Sequence, residues 1–355
     1  MTDNPQHGIS VIIPVKGRVA LLTHLLASLA EARSHCTEPT EVIVVDDSDP
    51  EDARRHRESC ARHDGRYLPG PLKVGAKRNV GACAARYDIL VFIDSDCEAD
   101  SLYLATIAKA LRDSPQEVGA VAGPVDMIGE KTSTLRLFRH TLEMHQPFAW
   151  PREFEQITWA ATANFAVRAD VFRAVGGFAE DPLTVVGGED VDLGIRIVKA
   201  GHVTRCVPDA VIYHRRETGD RISSISRRLY TYGRSSNWLN RRHPERRQFR
   251  LNPVSAIVFT SVAAFAADRA TKGHSLWTVP AVAASLLGVH AARHARGDDG
   301  VGDIPSMVVS TLLDWSFDAG EFVGAFQVGR PNFVFSRFGY MDEDTFRPRE
   351  EEHDD

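Results

Sequence analysis

The sequence predicts an α/β fold in which a mixed, mostly parallel sheet carries helices on both faces and is followed by a helical C-terminal appendage. From residue 9 onward, short apolar runs alternate with amphipathic stretches, and this alternation is typical of parallel strands joined by crossover helices. Residues 9–215 contain neither an internal repeat nor a low-complexity linker, so we predict one catalytic domain there. After His214 the composition becomes basic and aromatic and then apolar, which indicates the appendage.

The order of the elements is predicted from the apolar periodicity. Strands are predicted at residues 9–15, 41–47 and 88–94, with helices at 19–32, 51–63 and 73–86. A helix at 99–112, a strand at 118–125 and a helix with an irregular loop at 132–159 come next. Strands at 157–167 and 203–213 flank a helix that begins near Glu189. We therefore predict a catalytic domain at 1–220, a basic-aromatic helix with apolar helices at 221–340, and a disordered acidic tail at 341–355.

The composition excludes several classes of protein. The chain has 355 residues, a net charge of −6 and a pI near 6.2, which offers no global attraction to nucleic acid, so we predict no such partner. Its five cysteines are scattered without a Cys-x-x-Cys pair, and this predicts neither a disulfide framework nor a zinc site. Residues 1–8 lack the basic and apolar regions of a signal peptide, so we expect the catalytic part in the cytoplasm.

The C-terminal third allows two interpretations. Many arginines between residues 215 and 250 are interleaved with four aromatic residues, namely Tyr230, Tyr232, Trp238 and Phe249. The apolar stretches at 253–267 and 276–292 are shorter than the roughly 20 residues that span a bilayer, and a third, at 304–326, is interrupted by three acids. One interpretation packs these helices on the main domain or on each other. The other is a peripheral anchor at the inner face of an anionic membrane.

Polar residues follow the ends of three predicted strands. Residues 14–18, 46–49 and 94–96 stand there, and in open α/β sheets ligands bind beyond the carboxyl ends of the strands. Asp94 and Asp96 form an Asp-x-Asp pair, and carboxylates in this position can hold Mg²⁺ or Mn²⁺ to neutralise a departing diphosphate. A surface cap is the alternative role for such a pair.

The segment Gly187-Gly188-Glu189-Asp190 is a second candidate. Adjacent glycines let the backbone approach a ligand closely, and both acids fall in the first turn of a predicted helix, where the helix dipole favours carboxylates. A carboxylate held beside a flexible turn can take a proton from an attacking hydroxyl. N-terminal capping is the alternative.

His214 and residues 75–81 complete the candidate set. A neutral imidazole beside a carboxylate and phosphate oxygens suits Mn²⁺ or Mg²⁺, whereas a histidine standing alone is most often structural. Gly75 and Arg78 begin a predicted helix, where glycine, a basic side chain and free amides suit a phosphate or a nucleotide. Packing of this helix end beneath residues 94–96 is the alternative. The spacing matches neither a P-loop nor Gly-x-Gly-x-x-Gly, which disfavours an NTPase or a dehydrogenase.

The ordered combination of these motifs resembles the family-2 inverting glycosyltransferases of the GT-A fold. The resemblance rests on residues 10–15, 41–47, 75–79, 94–96, 163–168, 175–178, 188–190 and 213–214 and covers about residues 9–215. The Gly-Gly-Glu-Asp turn with a later histidine also resembles metazoan galactosyl- and N-acetylgalactosaminyltransferases. The family implies transfer of a sugar from a nucleotide-diphosphate sugar, with UDP favoured, to an acceptor hydroxyl by one in-line displacement that inverts the anomeric carbon.

The resemblance also implies a role for each matched residue. Contacts to the nucleotide sugar would come from Pro14, Val15, Arg18, Asp47, Gly75, Arg78, Asp94 and Ser95. A divalent metal, Mn²⁺ or Mg²⁺, would be bound by Asp96 and His214, and Asp190 would be the base. The acceptor or the donor sugar would be bordered by Trp159, Gly188 and Glu189.

Several alternatives stay open beside this resemblance. The Gln-x-x-Arg-Trp motif of processive synthases is missing and residues 232–238 occupy its region, so we predict a non-processive enzyme. A glycan, a lipid-linked carrier and a small molecule all remain candidate acceptors, and the lipid case is a polyprenyl-phosphate sugar synthase. A non-catalytic nucleotide-sugar-binding scaffold would often have lost Asp96, Asp190 or His214, and all three are present. A nucleotidylyltransferase would carry a Gly-rich loop after the first strand, and residues 14–18 are not one.

Overall fold

The computed structural model describes residues 5–129, 142–180, 187–215, 221–271, 275–294, 304–342 and 344–349. Its strands are β1 (Gln6–Val15), β2 (Thr40–Asp46), β3 (Gly65–Pro69), β4 (Tyr87–Phe92), β5 (Cys97–Ala99), β6 (Val118–Ala122), β7 (Val125–Ile128), β8 (Phe154–Ile157), β9 (Phe165–Arg168), β10 (Val203–Cys206), β11 (Ile212–Arg215), β12 (Arg247–Phe249), β13 (Ser336–Phe338) and β14 (Arg347–Pro348). Its α-helices are α1 (Val19–Ser34), α2 (Pro50–Arg62), α3 (Val74–Ala84), α4 (Tyr103–Arg112), α5 (Leu142–Glu153), α6 (Ala169–Ala174), α7 (Glu189–Lys199), α8 (Ile222–Arg242), α9 (Pro253–Thr271), α10 (Thr278–His294) and α11 (Ile304–Gln327).

Nine strands form one mixed sheet in the order β14-β8-β10-β6-β9-β4-β1-β2-β3. β1 pairs in parallel with β2 and β4, and β2 pairs in parallel with β3. β9 is antiparallel to both of its neighbours, and β8 is antiparallel to both of its own. The predicted mixed, mostly parallel sheet is therefore confirmed. The carboxyl ends of β1, β2 and β4 meet at one edge, where ligands bind in sheets of this kind.

Apolar cores cover both faces of this sheet. Alternate residues of β1, such as Ile9 and Val11, pack with Leu22 of α1 on one face, and Ile12 packs with Phe92 on the other. These side chains are fully buried, and burying one of them contributes about 1.5–3 kcal/mol. The two cores fix the strands, so the positions of the strand ends are fixed with them.

Three predicted strands each divide into two in the structure. The strand predicted at 118–125 breaks at Gly123, because a Cβ there would lie 1.9 Å from the Ala210 carbonyl oxygen, and at Pro124, which has no N–H to donate. The strands predicted at 157–167 and 203–213 divide into β8 and β9 and into β10 and β11. The detached pieces β7 and β11 join β5 in a second sheet of order β5-β11-β7, and this sheet carries His214.

Other differences from the predicted elements are local. β3 is missing from the prediction because its residues are mostly half-exposed and lack a clear apolar alternation. The helix predicted within 132–159 is α5, which is followed by β8, and residues 130–141 lie outside the described residues.

The disorder predicted for the acidic tail at 341–355 is wrong for residues 344–349. β14 pairs antiparallel with β8 at the edge of the main sheet. Phe346 is 5% exposed, and its ring lies 5.0 Å from the ring of Trp150. The buried Phe346 ring and the hydrogen bonds of Arg349 to the carbonyl oxygens of Pro151 and Cys206 thus anchor a segment whose acidic composition predicted disorder. Residues 350–355 lie outside the described residues.

The helical appendage is held together by a close contact between α8 and α11. A Cβ at Gly233 of α8 would lie 1.9 Å from the Phe317 carbonyl oxygen, and one at Gly320 of α11 would lie 2.1 Å from the Tyr230 carbonyl oxygen. The absence of side chains at these positions lets the two backbones touch. The predicted C-terminal helices are confirmed, and α8 joins them to the catalytic domain.

Candidate active site

The ends of β1 and β2 are fastened to each other by a buried lysine. Lys77 of α3 is 4% exposed, and its ammonium group donates to the Val15 carbonyl oxygen over 2.9 Å and contacts the Asp47 carboxylate. The ammonium group of Lys16 lies 3.3 Å from the other Asp47 oxygen. Asp47 therefore stands beside Val15, and Pro14 is buried just before Val15.

Arg78 joins the end of β4 to the first turn of α7. This side chain is 3% exposed, and its guanidinium donates to Asp94 over 2.8 Å and to Glu189 over 2.9 Å. Burial opposes the charge of Arg78, but the neighbouring carboxylates, first Asp94 and then Glu189, raise its pKa. Gly75 packs beneath the same contact, since a Cβ there would lie 3.5 Å from Glu189 Cγ. The structure thus brings together predicted residues that are more than 90 positions apart.

Asp96 faces His214 because the small sheet puts them side by side. β11 pairs antiparallel with β5, which sets His214 opposite Cys97, and the Arg215 amide donates to the Asp96 carbonyl oxygen over 2.8 Å. His214 Nε2 lies 3.5 Å from Asp96 Oδ2. Ser95, between the two aspartates, is buried.

A divalent cation fits this pair in its donor chemistry. One carboxylate and one imidazole are present, and Mg²⁺ or Mn²⁺ can complete its coordination with water and substrate phosphates. No group of three or more His, Cys, Asp or Glu side chains suited to a metal occurs in the described ranges, so further donors would come from the substrate. The guanidinium of Arg18 contacts Asp96 Oδ2 in this structure. The Arg18 guanidinium is thus the positive charge that balances the Asp96 carboxylate in this structure.

The turn before α7 adopts a backbone conformation that requires glycine. Gly187 and Gly188 have φ of +98° and +91°, a region that other residues rarely enter. A Cβ at Gly187 would also lie 2.6 Å from the Tyr232 ring of α8. Asp190 follows in the first turn of α7, half-buried, with one carboxylate oxygen accepting from the Val191 amide over 2.9 Å. Burial, and then the adjacent Glu189 carboxylate, raise the pKa of Asp190 to about 7.

Asp192 locks α7 to the end of α8. Its fully buried carboxylate accepts from Arg242 Nε over 2.7 Å and from Arg196 Nε over 2.9 Å, and it lies 3.0 Å from His243 Nε2. Burial opposes ionisation, but the hydrogen bond with His243 and the two arginines lower the pKa of Asp192 to about 2. Asp192, the third acid in the first turn of α7 after Glu189 and Asp190, is therefore structural. It fixes the helix on which Asp190 stands.

Sequence reasoning missed Tyr232 of α8, which reaches this site, and the nearby Arg228, whose charge acts on it. Tyr232 lies against Gly187, and Arg228, four residues earlier, occupies the same face of the helix. Burial raises the pKa of Tyr232 to about 12, the Arg228 charge opposes this rise, and the Asp190 charge adds to it. The available signal was the i, i+4 spacing of an arginine and a tyrosine inside the basic-aromatic stretch, for which packing and membrane contact were both open.

Trp159, predicted to border the acceptor or the donor sugar, packs against the C-terminal segment in the structure. It is 6% exposed, and its indole N–H donates to the Tyr340 carbonyl oxygen over 2.8 Å. Its ring centre lies 5.1 Å from that of Trp150. The large apolar surface of the indole packs against the C-terminal segment. On the other side Trp159 lies close to α7, where a Cβ at Gly194 would come within 2.5 Å of Trp159 Cβ, so only glycine fits there.

Comparison with known proteins identifies the domain that carries this site. Residues 10–176 match the model of the family described as glycosyl transferase family 2. The chain is 30% identical over 253 residues to the pre-mycofactocin glycosyltransferase of Mycobacterium tuberculosis, which covers 69% of the chain and 50% of that protein. It is 29% identical over 226 residues to the validoxylamine A glucosyltransferase of Streptomyces hygroscopicus, which covers 53% of the chain and 51% of that protein. The chain thus spans about half the length of these curated relatives.

A solved structure supports the assignment of the fold. The mannosyltransferase of Pyrobaculum calidifontis in complex with GDP-Man and Mn²⁺ superposes with a TM-score of 0.52 at 18% identity, over 88% of each chain. The match includes the helical appendage, because it extends over far more of the chain than the catalytic domain alone. The likeness concerns the fold.

Proposed function

The chain carries a family-2 glycosyltransferase domain of the GT-A fold, and from that premise we propose that it is an inverting, non-processive enzyme. It moves a sugar from a nucleotide-diphosphate sugar, with UDP as the favoured nucleotide, to an acceptor hydroxyl. The observation that carries the proposal is the position of Asp190. This carboxylate has a raised pKa and stands one residue from Glu189, which Arg78 ties to Asp94 at the strand ends.

The proposed reaction assigns one proton transfer to the chain. Asp190 takes the proton of the acceptor hydroxyl, whose oxygen bonds to the anomeric carbon while the bond from that carbon to the diphosphate breaks. The proton ends on the Asp190 carboxyl group and the nucleoside diphosphate leaves. A divalent cation held by Asp96 and His214 would neutralise charge on the departing diphosphate. The contacts of Asp47 with Lys77 and of Asp94 with Arg78 hold both carboxylates in place for the base, the ribose or the diphosphate.

The test of this proposal is a thermal-unfolding screen of UDP, GDP and their sugar conjugates, each with Mn²⁺, Mg²⁺ or EDTA. A ligand that binds only the folded chain raises its apparent stability, by about 2.7 kcal/mol at a concentration 100 times its dissociation constant. We expect an increase in unfolding temperature with one nucleotide series, lost in EDTA. Mass spectrometry with that donor would then show release of the diphosphate. No shift with any nucleotide would contradict the proposal, and a shift without release of the diphosphate would favour the scaffold alternative.

We also propose that Arg228 binds the diphosphate and predict the effect of its loss. Arg228→Gln should lower kcat/KM for the donor about 10- to 100-fold, because a hydrogen bond to a charged group contributes about 1.5–3 kcal/mol. The matched control is Arg227→Gln, since Arg227 is exposed on the adjacent position of α8 and should leave kcat/KM unchanged. Equal effects of the two substitutions in steady-state kinetics would exclude a specific role for Arg228.

Two classes of acceptor are compatible with the proposed reaction. The names of the two relatives specify pre-mycofactocin and validoxylamine A, so these are the first acceptors to test, with a glycan as the next class. A polyprenyl-phosphate acceptor is the second candidate, favoured by the exposed apolar side chains of α9 and α10. For the same reason we propose that the catalytic domain lies at the cytoplasmic face of a membrane.

A further inference from the structure

Helices α9 and α10 present apolar side chains outward along their whole length. The 18-residue windows at Pro253–Ala270 and Ser275–Ala292 have mean hydropathies of 1.2 and 1.4, and only 17% and 0% of their residues are buried. Large exposed side chains occur on both helices and between them, namely Phe259, Val262, Phe265, Leu276, Trp277 and Val289. Core helices of a water-soluble domain bury such residues, so this pair requires an apolar partner.

The dimensions of the pair match a bilayer. α9 has 19 residues and α10 has 17, which at 1.5 Å per residue gives about 28 Å and 26 Å. The hydrocarbon core of a membrane is about 30 Å thick. The apolar stretches at 253–267 and 276–292 are by themselves shorter than the roughly 20 residues that span a bilayer, and the first of them ends just before Asp268 and Arg269. The structure places these two residues in the last turn of α9, so they stand at the end of the apolar segment.

Several polar groups within α9 and at the start of the second segment are paired inside the chain, as lipid requires. The Asp268 carboxylate accepts from the amides of Ser275 and Leu276, which begin the second segment. The Thr278 hydroxyl donates to the Ser275 carbonyl oxygen over 2.6 Å, and the Ser261 hydroxyl donates to the Ile257 carbonyl oxygen over 2.7 Å. These polar groups therefore need no water as a partner.

Arginines are concentrated at one end of the pair. Residues 241–250, just before α9, include five arginines, three of which pair with Asp192, Asp318 and Asp342, whereas the last turn of α9, at the opposite end, carries Asp268 and Arg269. Beside the arginines, Phe249 and Leu251 are 83% and 58% exposed. Arginines with exposed apolar side chains suit the anionic headgroups of the cytoplasmic leaflet.

We infer that α9 and α10 form a hairpin that inserts into the lipid bilayer, with the arginine-rich end and the catalytic domain on the cytoplasmic side. The inference rests on the membrane contact proposed above and deepens it from contact to insertion. The hairpin is joined to α11, because Trp315 Nε1 donates to His290 Nδ1 over 3.2 Å. α11 contacts α8, and α8 lies against the Gly187 turn. Insertion would therefore place the site at the membrane surface, within reach of a lipid-linked acceptor.

The test uses the full chain bound to vesicles of phosphatidylglycerol and phosphatidylethanolamine. After sedimentation, washes with 1 M salt and with alkaline carbonate separate surface contact from insertion, at an ionic strength where exposed charges are screened. We expect the protein to stay with the vesicles through both washes. We also expect Phe259→Asp with Val262→Asp to lower the bound-to-free ratio at least about 100-fold, the effect of an acid at the centre of a spanning helix. The matched control is Leu102→Asp, at a 55% exposed leucine of the catalytic domain, which should remain bound.

Three results would overturn insertion. Release by salt or carbonate would leave the proposed surface contact standing and exclude a hairpin in the bilayer. A chain that does not bind vesicles and stays soluble with a defined oligomeric mass would mean that a second copy covers α9 and α10. This result would contradict both insertion and the proposed membrane contact. If the acidic variant and the Leu102→Asp control remained bound to the vesicles to the same extent, α9 would not be in contact with the lipid. The nucleotide screen reports on catalysis independently, because donor binding does not require lipid.

Discussion

Replacing Asp190 by asparagine is expected to lower kcat by about 10²–10⁴-fold, the range that a positioned base contributes, while the dissociation constant for the donor changes little. Asparagine keeps the shape of the side chain but cannot accept the proton of the acceptor hydroxyl. The proposed donor contacts belong to other residues, since Arg78 and Lys77 hold Asp94 and Asp47 without a contact to residue 190. Single-turnover kinetics and a donor titration measure the two quantities separately.

The pH dependence provides the control for this assignment. Burial and the Glu189 carboxylate raise the pKa of Asp190 to about 7, and a base acts only when unprotonated. In the wild-type enzyme, kcat/KM should therefore rise as the pH increases through about 7 and level off above it, and the residual activity of Asp190→Asn should lack this limb. A pKa raised in the folded chain also means that Asp190 costs stability as the pH rises from about 4 toward 7. The asparagine variant should thus be at least as stable at pH 8.

Two results would contradict the base assignment. One is a folded, donor-binding Asp190→Asn enzyme with kcat near that of the wild type. The other is an unchanged rising limb in the variant, because the limb would then belong to another group. A variant that unfolds at lower temperature at pH 8 would instead show that the Asp190 carboxylate stabilises the turn, against the direction of its pKa.

The positions of the strands near the site could be predicted from the sequence because their signals are local. Residues 9–15, 41–47 and 88–94 are uninterrupted apolar runs that end at polar residues, and each corresponds to a strand ending within two residues of the predicted position. The approach of Asp96 to His214 could not be derived in this way. It depends on β11 pairing with β5, and β11 was hidden inside a longer predicted strand. The resemblance supplied this pair where periodicity could not.

Long-range contacts account for what the sequence did not predict. The arginine-rich stretch predicts a charged surface, yet its Tyr232 lies under the Gly187 turn because two backbones meet at Gly233 and Gly320. The resemblance implies that Trp159 borders a sugar. It gives no sign that the indole N–H of Trp159 donates to the carbonyl oxygen of Tyr340, 181 residues away in the chain. Such contacts depend on which distant segment of the chain packs against a given helix or strand. A short window of sequence contains no information on this packing.

Arg78→Met should lower the free energy of unfolding by about 3–5 kcal/mol, the cost of leaving a buried charge without its partner. Glu189 has a side chain that is 10% exposed and would keep its charge with no cation in contact. Urea denaturation measures the change as a shift in midpoint. The matched control is Arg54→Met, because the Arg54–Glu58 pair is about 60% exposed on both sides and should contribute less than about 1 kcal/mol.

A double-mutant cycle distinguishes this buried pair from a general loss of packing. Arg78→Met combined with Glu189→Gln removes the stranded charge, so the double variant should be more stable than the sum of the two single effects predicts. Arg78→Lys should recover only part of the loss, because an ammonium group cannot bridge Asp94 and Glu189 as the guanidinium fork does. Additive single effects would mean that Arg78 acts only through its packing on Phe178, whose ring centre lies 5.4 Å from its guanidinium carbon. Coupled effects would make Arg78 the link through which the strand ends fix the first turn of α7, and with it the orientation of Asp190.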